Sequence, residues 1–364
     1  MRTMKIVTIA CWTVTALVII GLAAWFLTGT LFGIRTNRWN TNWSFGLNVG
    51  GWETLTGPFE LVGAYSVGVD GLDSLNVDWI AGQVTVKPHD GNEIQIKEYA
   101  QRELNDNENL VFSTSGSMLT IRYHEPGVVG RVPQKRLEVL IPRPLCEAFG
   151  RLTVDSVSGG VAVSDINADV FETKSTSGSI EHSNITSRTF NIDSTSGSIT
   201  LSSVNSGDMR INSLSGSIRV YDSDAKSLVC DSTSGSINIS GDFNSSKIKS
   251  LSGRITLDNS ASRSALNLES TSGSLEISGS FENVSTKSLS GSVSIRSTVV
   301  PASLNVDTTS GSITIAVPNE GEISVHHSST SGKLSSDIPI IIQNRDARFE
   351  LSSLSGSAKI LAID

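Results

Sequence analysis

Ser175-Thr-Ser-Gly-Ser-Ile180 returns as Ser194-Thr-Ser-Gly-Ser-Ile199, Ser213-Leu-Ser-Gly-Ser-Ile218 and Ser232-Thr-Ser-Gly-Ser-Ile237. The Ser-Gly of this phrase recurs from Gly159 to Gly356, in steps of 19, 19, 19, 19, 18, 20, 18, 20, 21 and 24 residues. A near-constant step of this size marks a solenoid, in which each repeat contacts only its neighbours.

Aligned on the glycine, the repeats form columns. One runs Phe171, Phe190, Met209, Leu228, Leu266, Val284, Leu304, Phe349; two residues on come Thr173, Ile192, Ile211, Cys230, Ile248, Leu268, Thr286, Val306, Leu351. After the glycine a third runs Ile180, Ile199, Ile218, Ile237, Ile255, Leu275, Val293, Ile313, Leu334. Each repeat therefore supplies two short alternating strands. The Ser-Gly makes the bend between them, where glycine takes φ > 0 without a Cβ clash. The serines Ser175, Ser194, Ser213, Ser232, Ser250, Ser270, Ser288 and Ser353, with Thr308, share inward parity. Hydrogen bonds along that stack would satisfy hydroxyls that are otherwise costly to bury. Columns of branched aliphatics also exclude a flexible Ser-rich linker.

The phrase alternates Ser-Thr-Ser with Ser-Leu-Ser (Thr195, Leu214, Thr233, Leu251, Thr271, Leu289, Thr309), which allows a coil of one repeat or of two. The outward column Asp231, Lys249, Glu269, Lys287, Asp307 decides. One repeat per coil stacks opposite charges in consecutive rungs; two would put Lys249 on Lys287. Opposite cross-strand charges are favourable by roughly 0.2–1 kcal/mol and like charges unfavourable. The expectation is an all-β parallel β-helix, a β-solenoid of about 19 residues per coil with right-handed winding. Eleven coils at about 4.8 Å make a rod on the order of 50 Å long.

Outside the array (155–364), residues 72–154 alternate with period two at Leu75-Asn-Val-Asp-Trp79, Val84-Thr-Val86, Ile94-Gln-Ile96 and Leu137-Glu-Val-Leu-Ile141. His89-Asp-Gly-Asn92 is a turn signal, and Ser113-Thr-Ser-Gly-Ser-Met118, off the period, reads as a stray turn. This region is the strand-rich amino-terminal cap that a solenoid needs over its exposed core and edge, and Pro142-Arg-Pro144 marks the crossing. At the far end, Asp337–Asp346 with Pro339-Ile-Ile-Ile342 is a candidate loop or partial cap. The sequence stops at Asp364, so the final rung is a candidate open edge, with end-to-end self-association as its expected consequence.

Ile6 to Ile34 is almost uncharged and long enough to span a bilayer with some tilt. A cleaved signal peptide would carry only about 7–15 apolar residues, so residues 1–35 read as an uncleaved transmembrane anchor. Arg2 and Lys5 precede the span while Arg35 and Arg38 follow it, so the positive-inside count is nearly balanced. The expected placement is a single-pass cell-membrane protein with its bulk extracytoplasmic. Gly29-x-x-x-Gly33 lies near the helix end, where such a pair is more often incidental than a packing motif. Residues 36–71, with Trp39, Trp43, Phe45, Trp52 and the breaker Gly57-Pro58, read as a membrane-proximal linker.

Chemistry is sparse. Among 364 residues the net charge is −8, with 18% charged, which argues against nucleic acid as a partner. Cys11, Cys146 and Cys230 show no metal or redox spacing. Cys146 and Cys230 are expected about four coils apart, roughly 19 Å, and so to be free thiols. Of His89, His124, His182, His326 and His327 only the last two adjoin, and strand neighbours point to opposite faces. No catalytic, cofactor-binding or metal-binding residue is assigned and no cofactor is implied; the outward acids form a charge ladder rather than a converging carboxylate pair.

The anchor, the lead-in Leu75-Asn-Val-Asp-Trp-Ile-Ala-Gly-Gln-Val-Thr-Val86 and the serial Ser-Gly-Ser-Ile phrases together resemble a bacterial family labelled "putative adhesin", of unknown function, which includes LiaG-type proteins of envelope-stress gene clusters. That resemblance implies a β-helical envelope protein. The acid that often follows the glycine in that family is replaced here by Ser179, Ser198, Ser217 and Ser236. The functional expectation is a membrane-anchored, non-catalytic binding or scaffold module whose partner is an envelope protein or surface polymer. The alternative is an accessory or regulatory protein of an envelope-stress system.

Overall fold

The computed structural model describes residues 50–52, 57–126, 131–343 and 348–363, within one compact unit, Asn48–Asp364. The expected anchor Ile6–Ile34, with Cys11 and Gly29-x-x-x-Gly33, and the aromatics Trp39, Trp43 and Phe45 lie outside the described residues. Among the described residues no helix is long and apolar enough to cross a membrane.

The array is a parallel β-solenoid. Val161–Ser177, Ile180–Ser196, Ile199–Ser215 and Ile218–Ser234 stack in parallel, with Phe171 on Phe190 on Met209 on Leu228 and a register of one repeat per coil. The three apolar columns point inward, and Phe190, Ile192 and Ile199 are fully buried.

A coil has more corners than the glycine alone provides. Between Val161–Ser177 and Ile180–Ser196 the pairing skips Asp165/Asn184 and again Asp169/Arg188, so each coil folds into three short sides. Asp165, Asn184, Ser203 and Asp222 hold φ of 59°, 54°, 54° and 47° at the first of these corners. Short polar side chains tolerate this left-handed conformation, because they can bond locally; Asn184 Nδ2 donates to Asp165 Oδ1 one rung away at 2.9 Å. The reading of two strands and one bend per repeat is corrected accordingly. The extra side, 185–187 in the second of these coils, buries further inward positions, including Ile185, Val204 and Ala225.

At the Ser-Gly bend, Gly197 has φ 133°, and a Cβ there would lie 2.2 Å from the carbonyl oxygen of Gly178 below. The backbone of each bend rests directly on the next. This glycine stack begins at Gly82, under Gly159, one coil before the repeat phrase starts.

The inward serine column is buried as expected, but its hydroxyls do not bond one another. Ser175 Oγ reaches the Gly178 carbonyl of its own bend at 3.4 Å, whereas Ser194, Ser213, Ser250, Ser270, Ser288, Thr308 and Ser353 have no hydrogen-bond partner among the described residues. Beside a bend where two sides converge, small size selects the residue.

The cap is itself built of solenoid rungs. Ser74–Ala81 stacks in parallel register under Phe149–Ser158, and Met118–Arg122 under Ser74–Asp78. Val84–His89 pairs with both Val161–Val163 and Lys135–Pro142. The edges then turn antiparallel: Val111–Ser115 folds back on Met118–Arg122 through the Gly116 turn, and Glu93–Ala100 joins Lys135–Pro142. Glu60–Gly68, assigned to the linker from sequence, is a nine-residue strand paired with Glu93–Ala100.

At the other end, rung order departs from chain order. Phe349–Ser355 pairs with Ser303–Ser310 on one side and with Val325–Ser329 on the other; Ala358–Ile363 likewise lies between Ile313–Pro318 and Leu334–Ser336. The final stretch is therefore an interior rung, which corrects the expectation of an open edge there. Phe349 and Leu351 are fully buried, whereas the coil displaced outward carries the half-buried pair His326 and His327. An apolar coil belongs between two others, and a polar one belongs at the end. Beyond it, Ile338 is buried and Ile340 packs on the core, so this segment plugs the rod.

Candidate binding face

The outward ladder runs, in rung order, Arg122, Asp78, Asp155, Lys174, Asp193, Asn212, Asp231, Lys249, Glu269, Lys287, Asp307, Ser352, Ser328. Lys249 Nζ bonds Glu269 at 2.7 Å, Asn212 Nδ2 donates to Asp193 Oδ1 at 2.7 Å, and Arg122 lies 3.5 Å from Asp78. Burial pushes Asp155 up to about 6 against the pull of Lys174, with Asp78 adding to the rise. Asp231 is raised for the same first reason, opposed chiefly by Lys249.

Two residues further along each strand, and so on the same face, stand the alternating Thr and Leu. On the other side of the ladder stand Glu172, Asn191, Arg210, the apolar Val229, Lys247, Asn267, Ser285 and Asn305. The result is a long sheet face of ordered polar columns with one half-apolar stripe. It can oppose an extended surface, but it does not converge on a point. Among the described residues no group of three or more His, Cys, Asp or Glu could hold a metal. A shallow open depression beside Asp73, Gly150, Asn167 and Arg188 is bridged by Arg188 to Asp169 at 2.7 Å.

The histidines serve local structure. His89 takes the Gly91 N–H on Nδ1 (3.1 Å) and faces the Glu93 carbonyl with Nε2 (2.8 Å), which closes the expected turn. His124 Nδ1 meets the Glu125 carbonyl at 2.7 Å, and His326 Nδ1 meets that of Gln343 at 2.9 Å. Burial lowers His327, with His326 adding to it. His182 is a core residue, edge-on to Phe171, with Nε2 3.0 Å from Thr173 Oγ1; burial depresses it to about 3. Cys146 and Cys230 are buried free thiols, Cys146 raised by burial to about 11 and Cys230 raised further by the same cause.

The most concentrated chemistry escaped the sequence reading. Lys135 Nζ lies 2.6 Å from Glu98 Oε1, and both side chains are 0% exposed. The ammonium also donates to the carbonyls of Glu108 and Tyr123 and faces the Tyr123 and Trp79 rings at 3.8 and 5.1 Å. Glu98 accepts the Leu110 N–H at 3.1 Å. Burial lowers Lys135 while Glu98 pulls it back up. With three acceptors around it, the ammonium is fully engaged, and the pair is a structural plug at the end of the core. Strand parity held the signal, since Glu98 continues the inward series Ile94, Ile96 and Lys135 begins the inward series Leu137, Val139.

A family model described as Toastrack DUF4097 matches residues 72–243 and 224–360. No curated protein matches the sequence. Similar solved structures include a "putative adhesin" of Bacteroides fragilis NCTC 9343 (12% identity, 70% of this chain and 97% of that one, TM-score 0.36). Others are a "putative lipid binding protein" of Parabacteroides distasonis ATCC 8503 (15%, 82% and 96%, 0.33) and a "putative adhesin" of Parabacteroides merdae ATCC 43184 (13%, 83% and 97%, 0.34).

Proposed function

The chain belongs to the Toastrack DUF4097 family, and from that premise we propose that it is a non-catalytic binding or scaffold rod of the cell envelope, held at the membrane by residues 1–35. The observation that carries this reading is the unbroken outward face from Arg122 to Ser328, an extended contact surface on which opposite charges stack in consecutive rungs from Asp231 to Asp307. The buried ionisable pair supports it too: Lys135 and Glu98 are enclosed by the core and cannot meet a substrate.

The test uses the full chain in its own cells. It is expected in the membrane fraction after alkaline carbonate washing, and protease added to intact cells is expected to digest it. Photocrosslinkers placed at Asn267 and Ser285 are expected to capture envelope material. Recovery in the soluble fraction, protection from protease, or crosslinks no more frequent than from the core position Ile248 would each overturn the corresponding part.

A further inference from the structure

From Thr195 onward the stripe beside the charge ladder alternates in space, although it does not do so in sequence. Along the chain it ends Thr309, Thr330, Leu354. Because Ser353 lies opposite both Thr308 and Ser329, the rung order is Thr309, Leu354, Thr330, and the inverted final coils restore the alternation. Leu214 and Leu251 are half-buried, while Leu289 and Leu354 are 55% and 57% exposed. Stacking of opposite charges accounts for the ladder, but it gives no reason for leucines on the solvent face.

The two columns are in phase. Leu251 shares its rung with Lys249, and Leu289 shares its rung with Lys287; Thr233, Thr271 and Thr309 share theirs with Asp231, Glu269 and Asp307. From the Asp231 rung to the Asp307 rung, large-and-positive rungs thus alternate with small-and-negative ones, and the flanking rungs carry Asn212, Ser352 and Ser328. Such a face is complementary to itself displaced by one rung.

The geometry points to a second copy of this chain as the occupant, packed face to face and antiparallel about a two-fold axis across the rod, between the Glu269–Thr271 and Lys287–Leu289 rungs. That axis pairs the rungs from Leu214 to Thr330 with one another and leaves Thr195 outside the contact. It places Glu269 against the partner's Lys287, Lys249 against the partner's Asp307, and Leu289 over the partner's Thr271. One operator therefore matches charge and size together. A parallel pair about a two-fold along the ladder would stay in register and set lysine on lysine.

The stretch is eight rungs long, about 38 Å at about 4.8 Å each, and three outward columns span about 13 Å. The footprint is about 500 Å² per copy, or about 1,000 Å² in total, at the lower bound for a specific interface. The association is accordingly weak and concentration-dependent. It does not depend on where the protein resides.

Energy transfer between donor- and acceptor-labelled full-length chains tests it. Lys287→Glu alone is expected to weaken self-association at least tenfold, as is Leu289→Thr with Leu354→Thr. A mixture of Lys287→Glu chains with Glu269→Lys chains is expected to recover the signal, with unchanged far-ultraviolet circular dichroism throughout. Wild-type chains that stay monomeric at 100-fold dilution series up to saturation, losses that mixing does not restore, or loss caused instead by Ile341→Asp with Ile342→Asp at the rod's end would overturn the proposal.

Discussion

His182 occupies an inward position whose stacked neighbours are Val163 and Leu201, and burial holds it neutral down to about pH 3. In the unfolded chain it takes up a proton near pH 6.5. Between those values the unfolded state binds more protons, so stability falls as pH drops through the window. The separation corresponds to roughly 5 kcal/mol. His182→Leu is expected to flatten the dependence of the urea midpoint on pH between 6.5 and 3.5, at a cost of about 1 kcal/mol at pH 7 for the lost Thr173 contact. A midpoint that falls as steeply in the variant as in the wild type would sink the assignment. Sequence pattern gives His182 the correct parity, but it cannot say whether a side of the coil is present to bury it. The third side of the coil, 185–187, depends on Asn184 turning through a left-handed corner, a choice that a polar residue in a Ser-rich repeat does not announce.

Among elements, the Glu93–Ala100 and Lys135–Pro142 strands carry the buried pair that closes the amino-terminal end of the core. Removing one partner strands a buried charge and costs about 3–5 kcal/mol, while replacing both by uncharged groups is often neutral. Lys135→Met is therefore expected to lower stability by that amount, and Lys135→Met with Glu98→Gln to recover most of it, as read by chemical denaturation. Equal losses in the single and double variants would count against the plug. The array was legible because a period of about nineteen residues repeats enough times to separate inward columns from outward ones. The cap was legible only as alternating strands, because Glu60–Gly68 has no repeat to align with. Rung order at the far end was hidden for a related reason: parity assigns a residue to a face, but the competition between the Phe349 and His327 coils for the interior is settled by burial.

For the whole molecule, a solenoid's stability is a sum over coils and the contacts between neighbours. Deleting residues 344–364 removes the rung between Ser303–Pro318 and Ile323–Ser336. Amide exchange is expected to lose protection through Ile323–Ser336 and to keep it through Ile180–Ser234; uniform loss along the rod would contradict the nearest-neighbour picture. The same inverted order bears on how the chain is made. A solenoid growing from its amino terminus could lay down each turn as it emerges, yet here the penultimate turn has no proper seat until the tail has threaded in beneath it. Closure of the tip must wait until Phe349–Ser355 has been made, so a chain stalled or clipped ahead of that strand presents a different tip from one that carries it.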